Sequence, residues 1–241
     1  MKNNKCVLAY SGGLDTTFCA KYLQKEHGLE IHTVFVNTGA FTQAEIEEIE
    51  AKAWALGVKQ HQTIDVSTQF YNEGIKYLIF GNVLKNDTYP LSVSAERVFQ
   101  AKAIVDYAMK IDASFIAHGS TGAGNDQVRF DLIFQTLATQ IEIITPIRDL
   151  QLSRQQEIDY LHDNEVFIDG KKAQYSINKG LWGTSVGGAE TLTSNLSLPD
   201  DAWPNKLYAQ DPEIITLVFE KGEPVAFNGK YMDPVEIIRT L

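Results

Sequence analysis

Cysteine is scarce: Cys6 and Cys19 are the only two in 241 residues. They show no CxxC spacing and no cluster with histidine, which excludes a zinc-finger or dithiol redox reading. Cys6 falls in an apolar run and Cys19 in the helical pattern after it, so both are expected to pack as small hydrophobes. Long apolar runs are missing as well, and no stretch approaches the roughly 20 residues that span a bilayer. Met1-Lys2-Asn3-Asn4-Lys5 leads into an apolar run too short for a signal peptide and without a small-residue cleavage site. The expected compartment is the cytoplasm, with no membrane partner. Basic charge is in deficit too. The net charge is −10, with no basic stripe, whereas phosphate-contacting nucleic-acid binders usually carry a basic surplus. No nucleic-acid partner is expected, and any anionic small molecule must be held by local donors against the overall field.

What is present is an ordinary globular balance, 44% hydrophobic and 22% charged, on a chain long enough to bury a large core. Over the first two-thirds, short β-rich runs alternate with helical patterns. Residues 6–10 read as a buried strand. Helical spacing follows from about 16 to 26, with Phe18, Tyr22 and Leu23 on one side. Residues 31–36 form a second strand closed by Asn37-Thr38-Gly39, and a Glu/Ala-rich helix runs from 43 to 56 with Gly57 as its stop. Strands are expected at 59–65, 114–118 and 141–145. Crossovers of this length imply an α/β fold: a five-stranded parallel, Rossmann-like sheet with helices on both faces. Ligands of such sheets bind beyond the carboxyl ends of the strands, near the switch in strand order. The two Gly-rich segments, after Tyr10 and after Ala117, fall at such ends.

The pattern changes beyond residue 150. A helix runs through Tyr160-Leu161, then a loop-rich region holds Gly180, Gly183, Gly187 and Gly188. An extended run at 213–220 turns at Lys221-Gly222 and returns from Pro224 to Phe227, and Asn228-Gly229 is a further turn signal. Asp233-Pro234-Val235-Glu236 reads as a helix start, with an Asp cap, Pro first and Glu third. The chain stops about two turns later. Residues 1–165 are therefore read as one domain and 166–241 as an incomplete, smaller α+β second domain.

The strongest motif is Ala9-Tyr10-Ser11-Gly12-Gly13-Leu14-Asp15-Thr16-Thr17. Two glycines let the backbone approach a phosphate without a Cβ clash. The hydroxyls of Ser11, Thr16 and Thr17 and the amides of a helix N-terminus suit an anion. No lysine follows to make a Walker A loop. A plain strand-to-helix turn with Asp15 as cap would need far less than this order of residues. The segment resembles the pyrophosphate-binding loop of the N-type ATP pyrophosphatases, which include argininosuccinate, GMP, NAD and asparagine synthetases and several tRNA-modifying enzymes. That resemblance implies cleavage of ATP between its α- and β-phosphates, with Asp15 helping to position Mg²⁺.

The second motif runs from Ala117 through His118, Gly119, Ser120, Thr121, Gly122, Ala123, Gly124, Asn125, Asp126, Gln127, Val128 and Arg129 to Phe130 and Asp131. Thr121 and Asn125 offer neutral donors, Asp126 accepts from an ammonium and Arg129 can grip a carboxylate. The bland alternatives are helix capping for Asn125 and Asp126, a surface ion pair for Arg129 and a partly buried loop residue for His118, which is given no proton-transfer role. The segment resembles HGxTGxGNDQVRFE of the argininosuccinate synthases. The resemblance implies ATP contacts at residues 9–17, Val36, Ala117, His118 and Gly119. It implies citrulline contacts at Tyr89, Ser94, Asn125, Arg129, Ser176 and Ser185, and aspartate contacts at Thr121, Asn125 and Asp126. Tyr89 and Ser94 come from Tyr89-Pro90-Leu91-Ser92-Val93-Ser94-Ala95-Glu96-Arg97, which is similar to the family's RYLLGTSLAR, and Ser176 and Ser185 from Tyr175-Ser176 and Gly183-Thr184-Ser185.

The implied activity is ligation of citrulline to aspartate through citrullyl-AMP, in arginine biosynthesis, with ATP and Mg²⁺. No residue acts as a covalent nucleophile; Asp15 and Arg129 orient. The departures are Ala123 where the family has lysine and Ser92-Val93 where it has Gly-Thr, which admits an N-acylated citrulline as an alternative substrate. The family chain continues further, into a region that contacts citrulline and a helix that builds its homotetramer, so a nucleotide-binding but inactive chain is the other alternative. A tRNA-thiolating or lysidine-forming ligase would need a basic face or a reactive cysteine, and neither is seen.

Overall fold

The computed structural model describes residues 2–122, 124–168, 175–204, 208 and 211–241. The altered position Ala123 lies outside the described residues. The described residues fall into two compact units, one drawn from 1–37, 41–66 and 96–173 and the other from 38–40, 67–95 and 174–241.

In the first unit, period-two alternation sends the strand side chains into two cores. Along β1 (Lys5–Ala9), Cys6 and Leu8 face one core and Val7 the other. On the first face they meet Phe18 and Leu23 of α1 (Leu14–His27), Ile49 and Ala53 of α2 (Gln43–Ala55) and Leu161 of α8 (Arg154–Asp163). On the other face Val7, with Val34 of β2 (Glu30–Asn37) and Ile116 of β4 (Phe115–Ala117), packs on α5 (Ser92–Lys110) through Val105 and Ala108. The same core takes in Phe130 and Phe134 of α6 (Asp126–Leu137). Cys6 and Cys19 are fully buried, as expected of small hydrophobes. Burial pushes both thiols well above their ordinary range.

With β3 (Gln60–Asp65) and β5 (Glu142–Ile144), the sheet has the order β3-β2-β1-β4-β5, all parallel. The chain moves outward from β1 to β3 and then returns to the other side of β1. The switch point therefore lies between β1 and β4, and each is followed by a glycine-rich loop.

Local chemistry sets the element ends. Thr42 and Glu45 form a capping box that starts α2, Ser153 and Gln156 one that starts α8, and Gly28 and Gly57 stop helices at positive φ. Expected strand and helix limits shift by one or two residues, and the run expected from 213 becomes strand only over β8 (Leu217–Glu220). The sequence reading places no helix between 65 and 114. The structure has α3 (Ser67–Phe70), a π turn over Tyr71–Ile75, α4 (Lys76–Phe80) and α5 there. The π turn breaks the 3.6-residue phase of the apolar positions, which hides the helix from a periodicity argument.

The second unit holds an antiparallel hairpin of β6 (Tyr175–Gly180) and β7 (Gly183–Gly188). It also holds a sheet of order β10-β9-β8, with β9 (Glu223–Phe227) and β10 (Lys230–Tyr231). The expected helix start is present in α9 (Pro234–Thr240): Asp233 Oδ1 accepts from Val235 N–H at 2.8 Å with Pro234 in the first turn. Arg239 Nε donates to the carbonyl of Gly39 at 2.7 Å, tying α9 to the residues that follow β2. Among the described residues no helix is long and apolar enough to cross a membrane.

Candidate functional site

Between the end of β1 at Ala9 and the start of α1 at Leu14 the backbone must reverse direction. Gly12 does this at φ +72°, where a side chain would be strained and its Cβ would lie 3.3 Å from Ile49. Gly13 holds the N-cap position of α1 and offers no side chain to the first helical amides. Those amides point out of the helix N-terminus, where an anion would otherwise complete them. Ser11 is exposed, and its N–H and hydroxyl both lie 3.3 Å from Thr16 Oγ1, which in turn donates to the Gly13 carbonyl. Thr17 is buried, and its N–H closes the first turn on Gly13. Ala9 pairs with Val34, and Tyr10 N–H bonds the Val34 carbonyl, so the loop leaves the sheet beside the end of β2, where Val36 is buried.

The second glycine loop leaves β4 next door. A Cβ on Gly119 would stand 3.2–3.3 Å from the backbone carbon, carbonyl oxygen and Cβ of Asp15, so any larger residue would crowd the point where the two segments meet. Ala117 and His118 are buried, while Thr121 and Asn125 are exposed. His118 is 1% exposed rather than partly buried, because it closes the end of β4 between Phe130 and Asp131. Its Nδ1 accepts from Ser120 N–H at 3.2 Å, which leaves the proton on Nε2 to bond Asp131 Oδ1 at 3.0 Å. Burial holds the imidazole pKa down, in keeping with a neutral ring.

Asn125 is the N-cap residue of α6, yet its side chain makes no capping bond. Asp126 sits between two guanidiniums, with Arg97 Nε at 3.0 Å and Arg129 Nη1 at 2.6 Å. The ion-pair alternative for Arg129 is thus realised in this structure, with Asp126 as partner. One carboxylate holding two arginines at a helix N-terminus keeps both cations beside the loop.

A carboxyl pair lies behind the first loop. Glu157 of α8 is 2% exposed, feels the charge of Asp15, and has no hydrogen-bond partner at its Oε2. Burial first, and then the charge of Asp15, pushes the Glu157 carboxyl up to about 8. Burial also raises Asp15, against the pull of Arg154.

In the second unit, Ser176 pairs with Gly187 and Ser185 with Asn178, so alternation puts Ser176, Asn178 and Ser185 on one face of the hairpin. Ser94 donates to the Leu91 carbonyl at 3.3 Å, and the backbone of Tyr89 bonds Lys85. A Cβ on Gly183 would lie 3.4 Å from Ser92, which places the hairpin turn against the first turn of α5.

The first unit thus brings together residues 9–17 and 117–119, with Thr121, Asn125, Asp126 and Arg129 on the same loop and helix. The second unit holds Tyr89, Ser94, Ser176 and Ser185. Arg148 and Glu157 took no part in the sequence argument, and Arg97 entered it only as the end of a matched segment, with no role assigned. The i, i+3 spacing of Arg154 and Glu157 gives no hint that Glu157 points inward to another carboxylate.

Two comparisons bear on this arrangement. A family model described as "Arginosuccinate synthase N-terminal HUP domain" matches residues 5–167. Argininosuccinate synthase of Methanocaldococcus jannaschii is 40% identical over 236 residues, covering 97% of this chain and 59% of that protein. The synthases of Sulfurisphaera tokodaii and Dictyoglomus thermophilum are 39% and 38% identical, with 60% and 61% of their lengths covered. The chain therefore spans about three-fifths of the length of these relatives.

Proposed function

The chain belongs to the argininosuccinate synthase family, and from that premise we propose that it is an ATP-dependent ligase that joins citrulline to aspartate, releasing AMP and pyrophosphate. The observation that most supports this reading is the meeting of Gly119 with Asp15, which sets two anion-suited loops side by side at the switch point.

In this reading residues 9–17 hold the polyphosphate, with Ser11, Thr16 and the α1 amides as donors, and Val36, Ala117, His118 and Gly119 lie along the nucleotide. Tyr89, Ser94, Asn125, Arg129, Ser176 and Ser185 bind citrulline, and Thr121, Asn125 and Asp126 bind aspartate. The ATP site belongs to residues 1–165, and residues 166–241 begin a substrate domain in the cytoplasmic enzyme. The ureido oxygen of citrulline attacks the α-phosphate and pyrophosphate leaves. The aspartate amine then displaces AMP from citrullyl-AMP. No side chain forms a covalent bond, and rate comes from orientation and charge stabilisation.

Among the described residues no group of three or more His, Cys, Asp or Glu side chains is arranged to hold a metal ion. The donor set suits Mg²⁺ carried chiefly by phosphate oxygens and water, with Asp15 as a protein ligand. Bound there, the ion neutralises charge on the polyphosphate.

The test is pyrophosphate release by the 241-residue chain from ATP and Mg²⁺, with citrulline alone and then with aspartate. Citrulline-dependent release, and argininosuccinate on adding aspartate, is the expected result. A second reading is a nucleotide-binding chain without turnover. ATP binding with no release would select it.

A further inference from the structure

Arg148 of α7 (Pro146–Leu150) stands at the centre of a hydrogen-bonded frame around the second glycine loop. Its Nη1 donates to Asp131 Oδ2 at 2.5 Å and to Gln127 Oε1 at 3.2 Å, two α6 residues one turn apart. Each partner passes the hold on to the loop. Asp131 Oδ1 accepts from His118 Nε2 at 3.0 Å, and His118 Nδ1 accepts from Ser120 N–H at 3.2 Å. Gln127 Nε2 donates to the Gly122 carbonyl at 2.5 Å. The backbone is thereby gripped at Ser120 and at Gly122, on either side of Thr121. The Arg148 stem closes the frame: its Cγ lies 3.7 Å from where a Cβ on Gly122 would stand.

The charges agree with the geometry. Burial works against ionisation of Asp131, but the bonds from Arg148 and His118 hold its carboxyl below the usual range. Without the guanidinium, that carboxylate would keep only the buried neutral imidazole as a partner, and its hold on the His118–Ser120 link would loosen.

We propose that Arg148 is a positioning residue that fixes the backbone of Ser120–Gly122 and so aims the Thr121 hydroxyl, without itself touching a substrate. The consequence for substrate rests on the assignment of Thr121 to aspartate. An ion pair that merely fastened α6 to α7 would give up stability throughout the unit when broken. A positioning residue loosens the loop first.

Hydrogen–deuterium exchange on the whole chain separates the two. In Arg148→Met, which keeps an unbranched stem, amides of peptides covering Ser120–Gly122 are expected to exchange at least about tenfold faster, while peptides from β1 and residues 9–17 keep their rates. Arg148→Lys, with a point charge in place of the planar fork, gives an intermediate increase. If Arg148→Met does not fold, Gln127→Leu cuts only the Gly122 arm and is read in the same way. Unchanged exchange at Ser120–Gly122, or an equal rise in every peptide, overturns the proposal. A second arm follows pyrophosphate release: in Arg148→Lys the KM for aspartate rises about tenfold with the KM for ATP within about twofold. If the wild-type chain shows no release, the ligase reading falls, and the exchange arm still decides the role of Arg148.

Discussion

Gly119 lies tightly against the backbone of Asp15: a Cβ there would stand 3.2 Å from the Asp15 carbonyl carbon and 3.3 Å from its oxygen, closer than most side chains come to a neighbour. The two residues are far apart in sequence, Asp15 in the first turn of α1 and Gly119 in the loop after β4, and the segments they belong to follow adjacent strands. The obstructing atoms are mainly backbone, so the contact cannot be relieved by a rotamer change.

Gly119→Ala should therefore push the two loops apart. A loss of about 1–3 kcal/mol in stability is expected from overpacking, with ATP affinity falling at least about tenfold. Denaturant unfolding and calorimetric titration with ATP check both. Unchanged ATP affinity in a folded Gly119→Ala chain would separate this contact from the nucleotide site.

Gly12 and Gly28 make a matched pair, since both sit at positive φ on either side of α1. A Cβ on Gly28 meets open space, whereas one on Gly12 meets Ile49 at 3.3 Å. Each alanine variant should lose about 1–2 kcal/mol of stability from the left-handed backbone alone. Only Gly12→Ala is expected to weaken ATP binding. Equal loss of ATP affinity in both variants would count against the first loop as the phosphate site.

Glu157 gives the stability a pH dependence of definite sign. Its carboxyl is raised from 4.5 to about 8 in the folded chain, so the unfolded chain ionises first as pH rises. The contribution is fully present below about pH 4.5 and is lost as pH climbs through about 8. Glu157→Gln should remove that alkaline loss and gain on the order of 2–4 kcal/mol at pH 9 relative to wild type, with little difference at pH 5. Melting temperatures of the two chains at both pH values measure it. Parallel pH profiles would mean that Glu157 ionises normally.

Asp126 holds two arginines, and removing it leaves both without this partner. Asp126→Ala is expected to cost about 1–2 kcal/mol, discounted for the partial exposure of the group. An Arg97–Asp126 double-mutant cycle should show coupling of about 1 kcal/mol. Additive single effects in urea unfolding would mean that the 3.0 Å pair contributes nothing.

The two thiols should be inert while the chain is folded. Cys6 and Cys19 are fully buried and their pKa values are raised, so neither supplies thiolate at neutral pH. An aromatic disulfide reagent should react only on addition of denaturant, and fast reaction of the native chain would show that the α1–β1 core opens.

Much of the fold could be read from local pattern. The apolar runs of β1 and β2, the Gly57 stop and the Asp233-Pro234 start act over a few residues, where period, propensity and capping decide. The glycine loops were legible for the same reason, because a backbone turn at φ +72° favours glycine over residues that carry a Cβ. The π turn at Tyr71–Ile75 escaped, since it breaks the period that would reveal its helix.

The amino-acid sequence by itself determined that two glycine-rich turns close two strands of a parallel sheet, and which polar groups each turn carries. Tertiary structure alone decided that Gly119 rests on Asp15, that Glu157 is buried beside Asp15, and that Arg148 holds Asp131 and Gln127. The first two follow from β4 lying beside β1, which brings residues more than a hundred positions apart to one end of the sheet, and the third from β5 lying beside β4. Strand order is set by how the two apolar faces are covered together, and no local period encodes that choice.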